Sequence, residues 1–103
     1  MTTYLVLYRR PAAAPDPMAD PDPQAMAEGK AAWGAWLRGA GDAVVDFGSP
    51  TFPVEPAEGP DRISGFTILQ AGSRAELEWL LSTHPHRTEG SFEVHAFARP
   101  PGA

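Results

Sequence analysis

The distribution of proline constrains the fold of this chain more than any other feature. Twelve of its 103 residues are proline; five lie between Pro11 and Pro23, and four between Pro50 and Pro60. Because proline fixes φ and lacks a backbone N–H, it is excluded from helix interiors and central strands. We therefore expect one domain over residues 1–99, with Pro-rich loops at 11–22 and 49–62 and a C-terminal tail at 100–103.

Four segments outside these loops predict β-strands. The first is rich in aromatic and β-branched residues, which favour strands, and its apolar residues alternate on both faces. The predicted strands are Thr3–Arg9, Ala43–Phe47, Ile63–Gln70 and Ser91–Ala98.

Two further segments predict helices. Asp22 is a suitable N-cap, Pro23 suits the first helical position, and Gly39 or Gly41 can end that helix. Ser73 and Glu76 have the spacing of a capping box at the start of the second helix.

The resulting order of strand, helix, strand, strand, helix, strand is typical of a ferredoxin-like α+β fold, an antiparallel sheet with both helices on one face. Along the first strand, Tyr4, Val6 and Tyr8 share one face, and Leu5 and Leu7 share the other. One apolar set must therefore lie on the face without helices, and exposed apolar patches of this kind usually mark an interface. We expect a homodimer that packs sheet against sheet, a dimeric α+β barrel.

Composition excludes several classes of protein. The formal charge of −5 argues against a nucleic-acid partner, and the absence of cysteine excludes disulfides and thiolate chemistry. No apolar run is long enough to span a membrane, and the first residues do not resemble a signal peptide. We expect a cytoplasmic protein with no cofactor, no membrane partner, and a small molecule as its ligand.

Asp46 is a carboxylate among apolar neighbours on the second predicted strand. If Val45 and Phe47 face the helices, Asp46 points into the space between two sheets, where a desolvated carboxylate suits general acid or base catalysis. The alternative is that Asp46 accepts backbone hydrogen bonds at the end of its strand.

The sequence His84-Pro85-His86 places two imidazoles on a stiff turn before the last strand. We predict that His86 belongs to the site, and that His84 caps the last carbonyls of the preceding helix while lying near the ligand. A metal site using both histidines with Asp46 or His95 is a weaker alternative, because zinc requires three or four convergent ligands.

Four more residues are candidates for ligand contact. His95 shares a strand face with Glu93, where it either lines a cavity or joins an exposed salt-bridge network. Tyr8 lies near the end of the first strand. Arg9 and Arg10 end that strand, where they can bind an anionic ligand or remain solvated. Trp33 and Trp36 are interpreted as helix core.

In order and spacing, several segments of the chain resemble the YCII-related domain proteins, which adjoin the DGPF-motif proteins. The segments are Tyr4–Arg9, Ala32–Leu37, Gly41–Pro50, Ser64–Leu69, His84–His86 and Gly90–Val94. This resemblance implies a ferredoxin-like fold, dimerisation through the sheets, and a histidine–aspartate pair in a cleft, for which Asp46 and His86 are the matching positions. One member of the family is similar to a dehydrochlorinase of hydroxylated aromatic rings. The Asp-Gly-Pro-Phe motif itself is absent from this chain.

Two functions are consistent with the sequence. The first is an enzyme or small-molecule-binding protein in which Asp46 and His86 transfer protons in a pocket between sheet and loops, under a partial lid formed by residues 48–62. The alternative is a non-catalytic dimeric module for regulation or protein interaction, and the family resemblance implies a link to sigma factors.

Overall fold

The chain folds into a four-stranded antiparallel sheet with two helices, as the sequence predicts. The structure, a computed structural model, describes residues 1–15 and 21–98. Its elements are β1 (Thr2–Pro11), α1 (Pro23–Ala40), β2 (Val44–Pro50), β3 (Asp61–Ala71), α2 (Arg74–Ser82) and β4 (Ser91–Ala96), with 3-10 turns at Gly41–Ala43 and Pro85–Thr88. The strand order is β2-β3-β1-β4. The predicted ferredoxin-like α+β fold is therefore confirmed.

The strands differ from prediction mainly at their ends. β2 continues to Pro50, inside the predicted loop 49–62, and β4 ends at Ala96 rather than Ala98. Proline at the terminus of an edge strand is tolerated because no ladder hydrogen bond is lost there. Part of the predicted loop 11–22, residues 16–20, and the predicted tail 100–103 lie outside the described residues.

Both predicted helix caps form. The Gln24 N–H donates to Asp22 Oδ1 at 3.0 Å, and the Glu76 N–H donates to Ser73 Oγ at 3.1 Å. The Glu76 carboxylate accepts from the Gly72 N–H, one residue earlier than in the usual capping box. The start of each helix is therefore specified by residues that are close in sequence.

The core lies between the sheet and the helices. Tyr4, Val6 and Tyr8 point towards the helices and pack with Trp36 of α1 and leucines of α2. The Trp36 Nε1–H donates to the Leu80 carbonyl at 2.9 Å, which ties α1 to α2. Within residues 1–15 and 21–98, no helix combines the length and hydropathy needed to cross a bilayer.

The sheet face opposite the helices, here called the open face, is apolar at its centre. Leu5 pairs with Ile68 and Leu7 with Phe66, and all four side chains are only partly buried in the single chain. The same face carries charged residues of β1 and β4. In the folded chain, β1 therefore has apolar side chains on both faces, one set in the core and the other on the open face.

Candidate functional site

The turn that follows α2 carries His84 into the core. Because Pro85 excludes His84 from the helical region, His84 is extended (φ −68°, ψ 133°) and begins the 3-10 turn. Its side chain is 2% exposed, and its Nδ1 accepts from the His86 N–H at 3.0 Å. The prediction that the His84 side chain caps the last carbonyls of α2 is therefore wrong, because the ring caps the following turn instead.

The neighbours of His84 determine which of its nitrogens carries the proton. Since Nδ1 accepts a hydrogen bond, the proton of the neutral ring lies on Nε2, which donates to Tyr8 Oη at 3.1 Å. The ring packs against Trp33 and Trp36, with centroids 4.6 and 4.3 Å away. Burial, together with the nearby His86, lowers the pKa of His84 to about 4, so the ring is neutral at neutral pH.

His86 is held by two backbone carbonyls. Its Nε2 lies 2.9 Å from the Arg9 oxygen and 3.0 Å from the Ser91 oxygen. Carbonyl oxygens only accept, so Nε2 carries the proton and Nδ1 carries the lone pair of the neutral ring. Burial lowers the pKa of His86, and the two carbonyl bonds act in the opposite direction.

Tyr8 joins the two histidines into one cluster of aromatic rings. Its ring centroid lies 5.1 Å from that of His84 and 5.0 Å from that of His86. Burial raises the pKa of Tyr8 well above its usual range, and the Thr67 hydroxyl opposes this shift only in part. The cluster therefore consists of three titratable groups that are all uncharged at neutral pH.

A cavity of about 250 Å³ opens beside this cluster, between α1, the end of β1 and the end of β2. Its walls combine aromatic rings, backbone and one cation, and its lining residues are Tyr8, Arg10, Trp33, Phe47, Gly48, Ser49, Pro50, Ser64, Phe66 and His86. A larger cleft of about 630 Å³ between the helices is lined by no titratable side chain. A second cleft, of about 470 Å³, is lined by charged side chains such as Arg9, Asp61 and Glu93. The cavity beside His86 differs from both clefts because a buried imidazole lines it.

Asp46 lies away from this cavity. It pairs with Ile68 and so lies on the open face, while His86 packs on the helix-side residue Tyr8. Its carboxylate is exposed and accepts from the Gly48 N–H at 2.8 Å. The structure shows the alternative role, backbone hydrogen bonding, and it does not bring Asp46 and His86 together within one chain.

The side chains of Arg9 and His95 also lie on the open face. His95 Nε2 contacts Glu93 Oε2 at 2.7 Å, and the other Glu93 oxygen binds Arg9, which lies 3.7 Å from Asp61. The hydrogen bonds from His95 and Arg9 lower the pKa of the Glu93 carboxyl. This is the exposed salt-bridge network, and only the backbone carbonyl of Arg9 reaches His86.

The sequence places Arg10 at the end of the first strand, where it can bind an anion, and indicates only a core role for Trp33. Alternation from Tyr8 puts Arg10 on the helix side of β1, and the structure adds that both residues line the cavity. Among residues 1–15 and 21–98, no three histidine, aspartate or glutamate side chains converge as metal ligands. The metal alternative also lacks donors, because both nitrogens of His84 are already engaged.

Comparisons of the sequence with protein-family models and with curated proteins give no match. Among solved structures, a similar one is 5-chloro-2-hydroxyhydroquinone dehydrochlorinase from Burkholderia phenoliruptrix AC1100, in complex with 2,5-dihydroxybenzoquinone. The two chains are 20% identical over 94% of each, with a TM-score of 0.59. At this identity the likeness concerns the fold alone. The chain thus has the ferredoxin-like fold that its resemblance to YCII-related proteins implies.

Proposed function

We propose that this protein binds a small planar ring compound in the cavity beside His86 and exchanges a proton with it through Nδ1 of His86. The observation that carries the proposal is the fixed tautomer of His86. Two carbonyls hold its Nε2–H, so the lone pair lies on Nδ1 of a residue that lines the cavity. No described residue forms a hydrogen bond with that Nδ1.

The same carbonyls support the protonated state. When Nδ1 takes a proton, the ring becomes an imidazolium whose Nε2–H already faces the Arg9 and Ser91 oxygens. Burial disfavours this cation and the carbonyls favour it, so the ring can accept a proton and return it. His84 and Tyr8 stay neutral, and Tyr8 forms a wall of the cavity with Trp33, whose ring lies edge-on at 5.1 Å.

The size and lining of the cavity indicate the class of ligand. A volume of about 250 Å³ is below that of typical sites for drug-sized molecules, so the ligand is about one ring in size. The dehydrochlorinase of similar fold is named for a hydroxylated ring and was solved with a quinone. We propose that the chain is a divergent relative of the YCII-related proteins, which the sequence motifs and the similar fold support.

The proposal predicts that His86 exchanges ring protons. In D2O, a C–H carbon of 2,5-dihydroxybenzoquinone takes up a deuteron to form the keto tautomer, and a base then removes the original proton and restores the conjugated ring. NMR follows the loss of the ring C–H signal directly. We expect the protein to accelerate this exchange and His86→Gln to lose about 100-fold or more of the acceleration. Glutamine can still donate to the Arg9 and Ser91 carbonyls but offers no comparable base, so loss of exchange would not require loss of fold.

His95→Gln is the matched control, because it makes the same change on the open face and should leave the rate unchanged. Asp46→Asn tests the other residue that the sequence predicts for proton transfer. Wild-type exchange in His86→Gln would overturn the assignment, and loss of exchange in Asp46→Asn would show that the carboxylate acts after all.

We also propose that two copies pair through their open faces. Leu5, Leu7, Phe66 and Ile68 form an apolar centre with charged residues beside it, the composition of a protein interface. Such a face suits an isologous dimer, in which the same patch serves both copies.

The homodimer predicts a mass of twice 11.0 kDa in sedimentation equilibrium at micromolar concentration. Leu7→Lys should give the 11.0 kDa monomer. The dimer would bury the lysine charge in its interface, where two-fold symmetry brings in the same lysine of the second copy. Within one chain the lysine would pair with Glu93, so the variant should fold. Val54→Lys, at a fully exposed position, should remain dimeric. A wild-type monomer would contradict the proposal.

A further inference from the structure

We infer that the ligand of this cavity carries an anionic group, a carboxylate or an ionised ring hydroxyl, held at the mouth by Arg10, Lys30 and Arg62. The inference rests on the proposed function, because it names the charge of the molecule that His86 would meet. It arises from a groove beside the cavity, which the sequence did not indicate.

The groove and the cavity are continuous. The groove has a volume of about 570 Å³ and runs between α1 and the end of β2. It shares Arg10, Trp33, Pro50 and Ser64 with the cavity of His86. A ring in the cavity would therefore direct a substituent towards the groove, with Arg10 at the boundary.

Cations are concentrated in this groove. Among the residues that the structure describes, three lysine or arginine residues line it, compared with two acidic residues, although the chain as a whole carries −5. Both acidic residues are already engaged: Asp22 accepts from the N-terminus of α1, and Glu89 binds Arg10. The mouth of the cavity is thus a local positive region on an acidic protein, the arrangement that attracts an anion.

Within residues 1–15 and 21–98, Arg10 binds one carboxylate and has unused N–H donors. It contacts Glu89 through Nη2 alone, at 2.6 Å, and its side chain is 20% exposed. A guanidinium has five N–H donors, so the others can serve a carboxylate or an ionised hydroxyl. Restricted exposure also makes its charge more effective than that of a fully solvated cation.

Arg62 and Lys30 lie on opposite sides of the groove. The Arg62 guanidinium stacks over Phe52 at 5.8 Å from the ring centroid, which orients the cation on the β2–β3 side. Lys30 projects from α1. Neither forms a salt bridge with a residue in the part of the chain that the structure describes.

A matched pair of probes tests the charge. 4-Hydroxybenzoate and 4-hydroxybenzamide have the same ring and differ in one negative charge. We expect the benzoate to have a lower Kd than the amide, measured by calorimetry or protein NMR. Its affinity should fall as the salt concentration rises, because the cations are partly exposed. Arg10→Gln should raise the Kd of the benzoate about tenfold, and Lys30→Gln or Arg62→Gln about two- to fivefold, with little effect on the amide.

Arg74→Gln is the control, since it removes the same charge from an exposed, remote position of α2. Equal binding of the two probes, or Kd values for the benzoate unchanged in all three groove variants, would overturn the inference and leave the proposed function standing. Binding of neither probe would overturn both.

Discussion

Gly90→Ala will destabilise the protein by about 3–5 kcal/mol, enough to unfold a marginally stable domain of this size. A Cβ at Gly90 would lie 1.8 Å from the Arg9 oxygen and 3.0 Å from His86 Nε2. The first contact is with backbone, so no change of rotamer relieves it, and β1 must move. That movement also removes an acceptor from His86.

Chemical denaturation of Gly90→Ala and Gly39→Ala measures this effect. Gly39 lies in α1. Apart from its chain neighbours and the backbone of its own helix, no described atom lies within 4 Å of the position that its Cβ would take, so its alanine variant should be neutral or more stable by up to about 1 kcal/mol. A Gly90→Ala protein with the wild-type unfolding midpoint would show that the Arg9 carbonyl is not packed against Gly90.

Acidification from pH 6.5 to 4 will remove stability on the order of 3 kcal/mol through His84 alone. Burial lowers the pKa of His84 to about 4 from an ordinary 6.5, so between these values the unfolded chain binds the proton and the folded chain does not. The stabilisation is therefore complete above pH 6.5 and is lost as the pH falls through 4. His86, whose pKa is also lowered, adds to the loss in the same direction.

His84→Asn isolates this contribution. Asparagine keeps an acceptor for the His86 N–H at the start of the turn but cannot reach Tyr8. The variant should be less stable than wild type at pH 7, and the difference should shrink towards pH 4. His95→Asn, at an exposed position, should keep the wild-type pH dependence. An NMR titration that places His84 near 6.5 would contradict the prediction.

Much of the fold could be predicted because it depends on local patterns. The element order, the caps at Asp22 and Ser73, and the two apolar faces of β1 each follow from residues a few positions apart. Caps satisfy N–H groups of their own helix, and alternation follows from the pleat of a single strand.

The candidate site could be predicted only in part, since its contacts join distant segments. His84 meets Tyr8 across 76 residues, and His86 meets Arg9 across 77. Neither pairing leaves a local signature, so a histidine that resembled a helix cap is a buried, neutral side chain. Asp46 illustrates a second limit, because the pairing register shifts between Val44 and Asp46 and the strand's simple alternation is broken there.

The sequence by itself determined where regular structure forms, because proline, capping residues and hydrophobic period act within a few residues of chain. Each described proline lies outside the strands and helices or at the first or last residue of one, and alternation gave β1 an apolar set of residues on each face. Only the tertiary structure decided which polar side chains lie together. It buried the two histidines against Tyr8, brought Arg10 to the cavity, and left Asp46 on the other face of the sheet. Protonation and proximity depend on desolvation and strand register, which exist only once the chain is packed.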